Sequence, residues 1–174
     1  LDAFPSIRRA VPGVTLAVFS SLAVYNVSAD DDKARYGDLY RRCRESEGVI
    51  YMGGVPQPSL ARLMGGMRML AFPSTFPETS CIAVMEAMAT GCQLVTTRLG
   101  ALPETCAGFA DLVDLPEKRK DLAALFAEAV ITALTRDRGD VEAHLRGQLN
   151  FARAQYSWTR RAGEWEEFLG SLAG

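Results

Sequence analysis

Residues 71–104 read AFPSTFPETSCIAVMEAMATGCQLVTTRLGALPE. An apolar run over 69–72 has the length and character of a strand and ends on Phe72. Pro73 and Pro77 then stiffen a loop, the spacing predicts a helix over 80–90, and Gly91 ends it. Residues 93–97 are a strand again. Strand, helix and strand in this order argue for an α/β fold in which the strands run parallel.

The same alternation continues outward. Residues 1–11 read as the end of a helix stopped by Pro12-Gly13, and 14–19 as a strand whose all-apolar character suits a sheet covered on both faces. Asp30, Asp31 and Asp32 open a helix that runs to about Glu47. Its acids sit at the positive end, and Arg41, Arg42 and Arg44 lie toward the negative one. A second strand covers 49–52 and closes on Gly53-Gly54; a short helix follows over 56–63. Beyond the opening stretch come a fifth strand, 110–113, and an amphipathic helix, 118–134. Val141, Leu145, Leu149, Ala152 and Tyr156 form one further stripe. Trp158, Ala162, Trp165, Leu169 and Leu172 form another, with Ser157 as its N-cap. The tail helices could cover the core, or supply a helix that crosses onto a neighbouring domain; the sequence favours core cover. The fold class is α/β with a doubly wound, Rossmann-like parallel sheet, and residues 1–174 form one domain.

Composition removes several function classes. The chain has 174 residues, 48% apolar and 23% charged, which is globular and not disordered. Its mass of 18.9 kDa predicts burial of roughly 69% of the extended-chain surface. The 19 Lys plus Arg against 21 Asp plus Glu leave no basic excess to recruit nucleic acid. Cys43, Cys81, Cys92 and Cys106 form no C-x-x-C pair, and His144 is the single histidine, so a zinc centre is not expected. Free buried thiols fit a reducing, cytoplasmic setting. The least charged stretch, 79–97, carries Glu86 and Gly91 and reads as helix plus strand, not as a transmembrane segment. The chain opens on Leu1-Asp2 without a basic and apolar leader, which suggests a piece of a longer protein.

Phosphate-loop, dinucleotide and nucleophile-elbow motifs are absent. Chemistry is therefore sought where strands of an α/β sheet end. A helix starting after Phe72 offers free N–H groups near Ser80, Cys81 and Ile82 and the positive end of its dipole, a place for a diphosphate. The bland reading is a plain Thr79/Ser80 cap. Glu86 lies about 40° from Ile82 and about 100° from Met85 on the helical wheel, so it borders the apolar face. No basic residue occurs from 69 to 97 to neutralise it. Vicinal hydroxyls such as those of a ribose would satisfy its carboxylate; solvent or a distant Arg would do so equally. Glu78 stands in the loop beside the same helix start.

Glu78 and Glu86 make an E-x₇-E pattern. Pro73-Ser74 precedes it, Glu86-Ala87-Met88-Ala89-Thr90-Gly91 surrounds its second acid, and a Gly-x-x-Pro-Glu segment follows at 100–104. With Tyr156-Ser157-Trp158 in the tail, the sequence resembles the C-terminal, nucleotide-sugar-binding domain of retaining glycosyltransferases of the group 1, or family 4, type. The resemblance implies two Rossmann-like domains facing across a cleft, the GT-B architecture. Glu86 would hold the ribose hydroxyls of a UDP- or GDP-type donor, and Glu78 would be the catalytic residue beside the donor sugar. The amides of Thr79, Ser80, Cys81 and Ile82 would hold the diphosphate, with Gly53, Gly54 and Val55 near the base. No metal or other cofactor is implied, because helix dipole and basic side chains stabilise the leaving diphosphate. The partners implied are the donor and an N-terminal acceptor-binding domain, through which the protein would touch a membrane peripherally if it does so at all. The sequence departs from the family at Thr79-Ser80-Cys81, where many members have Gly-Phe-Gly, and at Ser20-Ser21, which replaces a Gly-rich turn. A non-catalytic binding module and a sugar-nucleotide epimerase remain as alternatives. If 1–11 is the family's first helix, the central strand precedes it, and the strands at 14–19 and 69–72 should flank its place unpaired, about 9–10 Å apart.

Overall fold

The computed structural model describes residues 1–172. Its elements are α1 (Phe4–Ala10), β1 (Leu16–Phe19), α2 (Ala29–Glu45), β2 (Val49–Gly53), α3 (Gln57–Met64), β3 (Met69–Phe72), α4 (Ile82–Thr90), β4 (Gln93–Thr97) and α5 (Leu102–Cys106). They continue with β5 (Ala110–Val113), α6 (Leu122–Leu134), α7 (Arg138–Gln155) and α8 (Trp158–Leu172). All pairings are parallel, in the α/β class the alternation predicts. The sheet is split, however, into one block of β1-β2 and another of β3-β4-β5. β1 and β3 are not paired, as expected for strands that flank a third.

Backbone direction shows what lies between them. The amides of Leu16 and Ser20 donate to Gly48 (2.9 Å) and Gly53 (3.1 Å), so alternation turns the N–H and C=O of Ala17 and Phe19 away from β2. On β3, the Arg68 carbonyl accepts from Gln93 at 2.9 Å, which turns Met69 and Ala71 away from β4. Between these edges lies a slot of about 500 Å³, lined by Phe4, Ile7, Leu16, Met69, Val130 and Leu134 among others. Beneath it a single cluster ties the two blocks together. Phe4 and Ile7 of α1 and Phe126, Val130 and Ala133 of α6 are buried, with Leu16, Val49 and Met69 packed against them.

A second cluster holds the site side of the molecule. Val84, Ala87 and Met88 of α4 pack with Cys92, Leu94, Leu102, Cys106 and Ala152. Gly91 takes φ +80 and ends α4 as a left-handed cap. Gln148 of α7, fully buried, donates from Nε2 to the carbonyls of Met88 (3.3 Å) and Cys92 (2.9 Å). α7 is thereby bound to α4 as core cover. α8 is not core cover: none of its residues is buried, and Trp158, Trp165, Phe168, Leu169 and Leu172 are all exposed. Its apolar stripe is real but meets no other element's core. All four cysteines are free and buried. Among the described residues no helix is long and apolar enough to cross a membrane.

The exposed area is 11199 Å², against about 8,300 Å² for a compact monomer of this mass. The burial expected from length is therefore not reached, because the slot and the α8 stripe remain open.

Candidate functional site

The loop from Pro73 to Cys81 is fastened by side chains that the sequence distributes over β4 and beyond. Thr97 donates to the Ser74 carbonyl at 2.6 Å and Thr96 to the Phe72 carbonyl at 2.7 Å, both from buried positions. Ser74 bridges its own turn through the Phe76 carbonyl and amide. Arg119 reaches Thr75 at 3.3 Å. The most restrictive contact is at Gly100, where φ is +55. A Cβ there would stand 2.6 Å from the Glu78 carbonyl oxygen and 2.7 Å from its nitrogen, and the Ala101 amide donates to that same carbonyl at 2.7 Å. The Gly-x-x-Pro-Glu segment thus sets the backbone position of Glu78.

Thr79 and Ser80 are exposed in this loop, and α4 starts at Ile82, two residues later than the pattern predicts. The cause is Cys81, the N-cap, which is extended (φ −120, ψ 97) and buried; burial also pushes its thiol pKa up. Cys81 can therefore meet a ligand only through its backbone. Met85 closes the first turn onto the Cys81 carbonyl at 3.2 Å, so the helical amides that no turn of the helix takes up are those of Ile82, Ala83 and Val84, the last two facing the Cys81 sulfur, a weak acceptor. No acidic residue occupies that turn to compete with an anion.

Glu86 stands one turn further on, half-buried. Desolvation raises its pKa above the ordinary carboxylate range. Among the described residues its carboxylate is paired with no cation. Its side-chain partner is the Nε2 of Gln57, the first residue of α3. This contact brings Glu86 to the loop after β2. There Gly53 is left-handed (φ +66), and a Cβ on Gly54 would stand 3.1 Å from Ser21 Cβ in the neighbouring β1 loop. Asp32 anchors that neighbouring loop by accepting from the Leu22 amide (3.0 Å), Ser21 (3.2 Å) and Tyr40 (2.7 Å). These bonds, the Tyr40 hydroxyl first, hold the Asp32 carboxyl below its usual range.

Thr79, Ser80, Ile82 and Glu86 also line one surface groove of about 730 Å³ with Trp158 and Arg161. The sequence-predicted positions therefore divide. The groove side gathers these four, and Gly53, Gly54 and Val55 lie on the α3 side of Glu86, joined to it through Gln57. Glu78 is half-buried at the loop's Gly100 contact. Gln57 escaped sequence reading because 29 residues separate it from Glu86 and no local pattern links them.

The sequence model of the family described as "Glycosyl transferases group 1" matches residues 1–136. No curated protein matches the chain. Among solved structures, the pneumococcal O-GlcNAc transferase GtfA, in complex with UDP and GlcNAc, is similar over 99% of this chain and 32% of its own, at 12% identity and a TM-score of 0.71. Anabaena Alr3699/HepE, in complex with UDP-glucose, is similar over 98% of this chain and 44% of its own, at 17% identity and a TM-score of 0.71. A GtfA/B complex shares the fold at a TM-score of 0.60 and 18% identity, over 93% of this chain and 32% of its own. The chain thus spans less than half the length of these structures, which at such identities speak for the fold. The family match takes in both blocks of the sheet, the Glu78 loop and α4, and on it the chain belongs to the group 1 glycosyl transferases.

Proposed function

We propose that this chain is the donor-binding half of a retaining glycosyltransferase that uses a UDP- or GDP-type sugar. The observation that carries the reading is Glu86: a half-buried carboxylate with no cation partner among the described residues, one turn from the start of α4, whose first amides bond no carbonyl. A nucleoside diphosphate sugar has a complementary shape. Its diphosphate meets the amides of Ile82, Ala83 and Val84 and the positive helix end. Its ribose hydroxyls donate to Glu86. Gly53, Gly54 and Val55 lie near the base, where two residues without large side chains leave room. Glu78, set by Gly100, stands at the donor sugar. As the sugar leaves, charge grows on the diphosphate, and a fixed dipole already aimed at it stabilises that charge without reorganising and without a metal.

UDP in the pneumococcal relative and UDP-glucose in the Anabaena one favour a uridine donor. The acceptor would be held by a second, N-terminal domain of the same protein. Calorimetric titration of UDP and GDP tests the reading: saturable binding, tighter for UDP, is expected, and binding of neither overturns it. Product analysis with the longer protein distinguishes transfer from epimerisation, since only transfer consumes an acceptor.

A further inference from the structure

We propose that Gln57 is a positioning residue for Glu86: its side-chain amide holds one carboxylate oxygen in place and leaves the other to accept a ribose hydroxyl. This rests on the donor-site reading above. Both ends of the contact are anchored in backbone. Gln57 opens α3 between Pro56 (φ −59, ψ 143) and Pro58, so two locked prolines fix where the helix begins and from where Gln57 reaches. Glu86 sits on α4, which Val84, Ala87 and Met88 bury completely against the core. Thr90 also bonds the Glu86 backbone carbonyl at 3.1 Å. The two side chains thus meet between rigid supports, across two different helices.

The chemistry of the partner matters as much as its position. A carboxylate on a helix flank has several rotamers, and an unfixed one would lose freedom on binding each ligand. An Arg in place of Gln57 would fix it but could occupy both oxygens and compete with incoming hydroxyls. The neutral amide of Gln57 meets one oxygen of Glu86, brings no charge of its own and leaves acceptor capacity free. Other charged groups do not take over the task. On the groove side Arg161 of α8 is engaged with Glu164 of its own helix and with the Gln155 carbonyl, and Arg153, which lines the same groove, makes no ion pair with Glu86. On α3, Arg62 bonds Ser59.

The test uses two probes, UDP and 2′,3′-dideoxy-UDP, which lacks both ribose hydroxyls, and the variants Gln57→Met and Gln57→Glu. Gln57→Met keeps side-chain length and removes the donor. UDP affinity is expected to fall about three- to tenfold, affinity for the dideoxy probe to stay as in wild type, and the melting temperature to hold, since Gln57 is exposed. Gln57→Glu adds a like charge beside Glu86 and should lose more UDP affinity than Gln57→Met. If wild type prefers UDP over the dideoxy probe but Gln57→Met binds UDP as wild type does, this inference is wrong and the ribose reading stands. If wild type does not distinguish the probes, the ribose reading and the inference fall together. An equal loss on both probes would show a merely structural role and overturn the proposal.

Discussion

Replacing Gly100 with alanine would put a methyl group into space now held by the Glu78 peptide, in a left-handed conformation. That conformation alone costs a non-glycine residue about 1–2 kcal/mol, and relief of the overlap must move the loop. Gly100→Ala is therefore expected to lower the melting temperature by about 2–8 °C and, on the proposed role of Glu78, to reduce turnover in the longer protein by displacing it. A variant that melts and turns over as wild type would contradict this role. Glu86 makes the opposite prediction for stability. Its folded-state pKa is raised by burial, so the folded chain holds that proton more tightly than the unfolded chain does. Stability from this group is present in acid and lost as pH rises from the ordinary carboxylate range through the raised value. Glu86→Gln should melt like wild type at about pH 3 and at or above it at neutral pH. A variant less stable than wild type only at neutral pH would reveal an ion pair of Glu86 not found among the described residues.

The elements themselves were mostly legible. Strands β3, β4 and β5 match their runs, because four or five residues, buried in β4 and mostly half-buried in β3 and β5, between glycine, proline and polar breaks leave little latitude. α5 was not legible: Leu-Pro-Glu-Thr-Cys is too short to show a period. The α4 start was misplaced because burial of Cys81 outweighs the capping preference of Thr79 and Ser80. The α8 stripe predicts the helix that the structure has, but that helix does not cover the core, since a 3.6-residue period says that a face is apolar and not what it meets. Trp165→Ala should accordingly change the stability of this chain by no more than about 0.5 kcal/mol; a loss of about 3 kcal/mol, typical of a core tryptophan, would place α8 back on the core. The open slot has its own signature in hydrogen exchange. The amides of Ala17, Phe19, Met69 and Ala71 face it and should exchange faster than those of Leu16, Val18 and Leu70, which face paired strands. Equal protection would mean that β1 and β3 pair directly.

For the whole molecule, the deciding observation is the excess of exposed surface, 11199 Å², and the proposed donor-binding role supposes a second domain to hold the acceptor. Transfer requires donor and acceptor held at near-contact geometry, which one wall cannot enforce. The 174-residue chain alone is expected to bind nucleotide and transfer no sugar, a result that an activity assay with labelled donor would read directly; efficient turnover by this chain would refute it. The pairing of Glu86 with Gln57, and not with arginine, separates ligand binding from stability. The measurement that bears most directly on the account is therefore a titration of UDP against wild type and Glu86→Ala, with melting temperatures recorded on the same samples. The account predicts an affinity lower by about tenfold or more with little change in melting temperature. Unchanged affinity with a lowered melting temperature would contradict it and make Glu86 a structural residue.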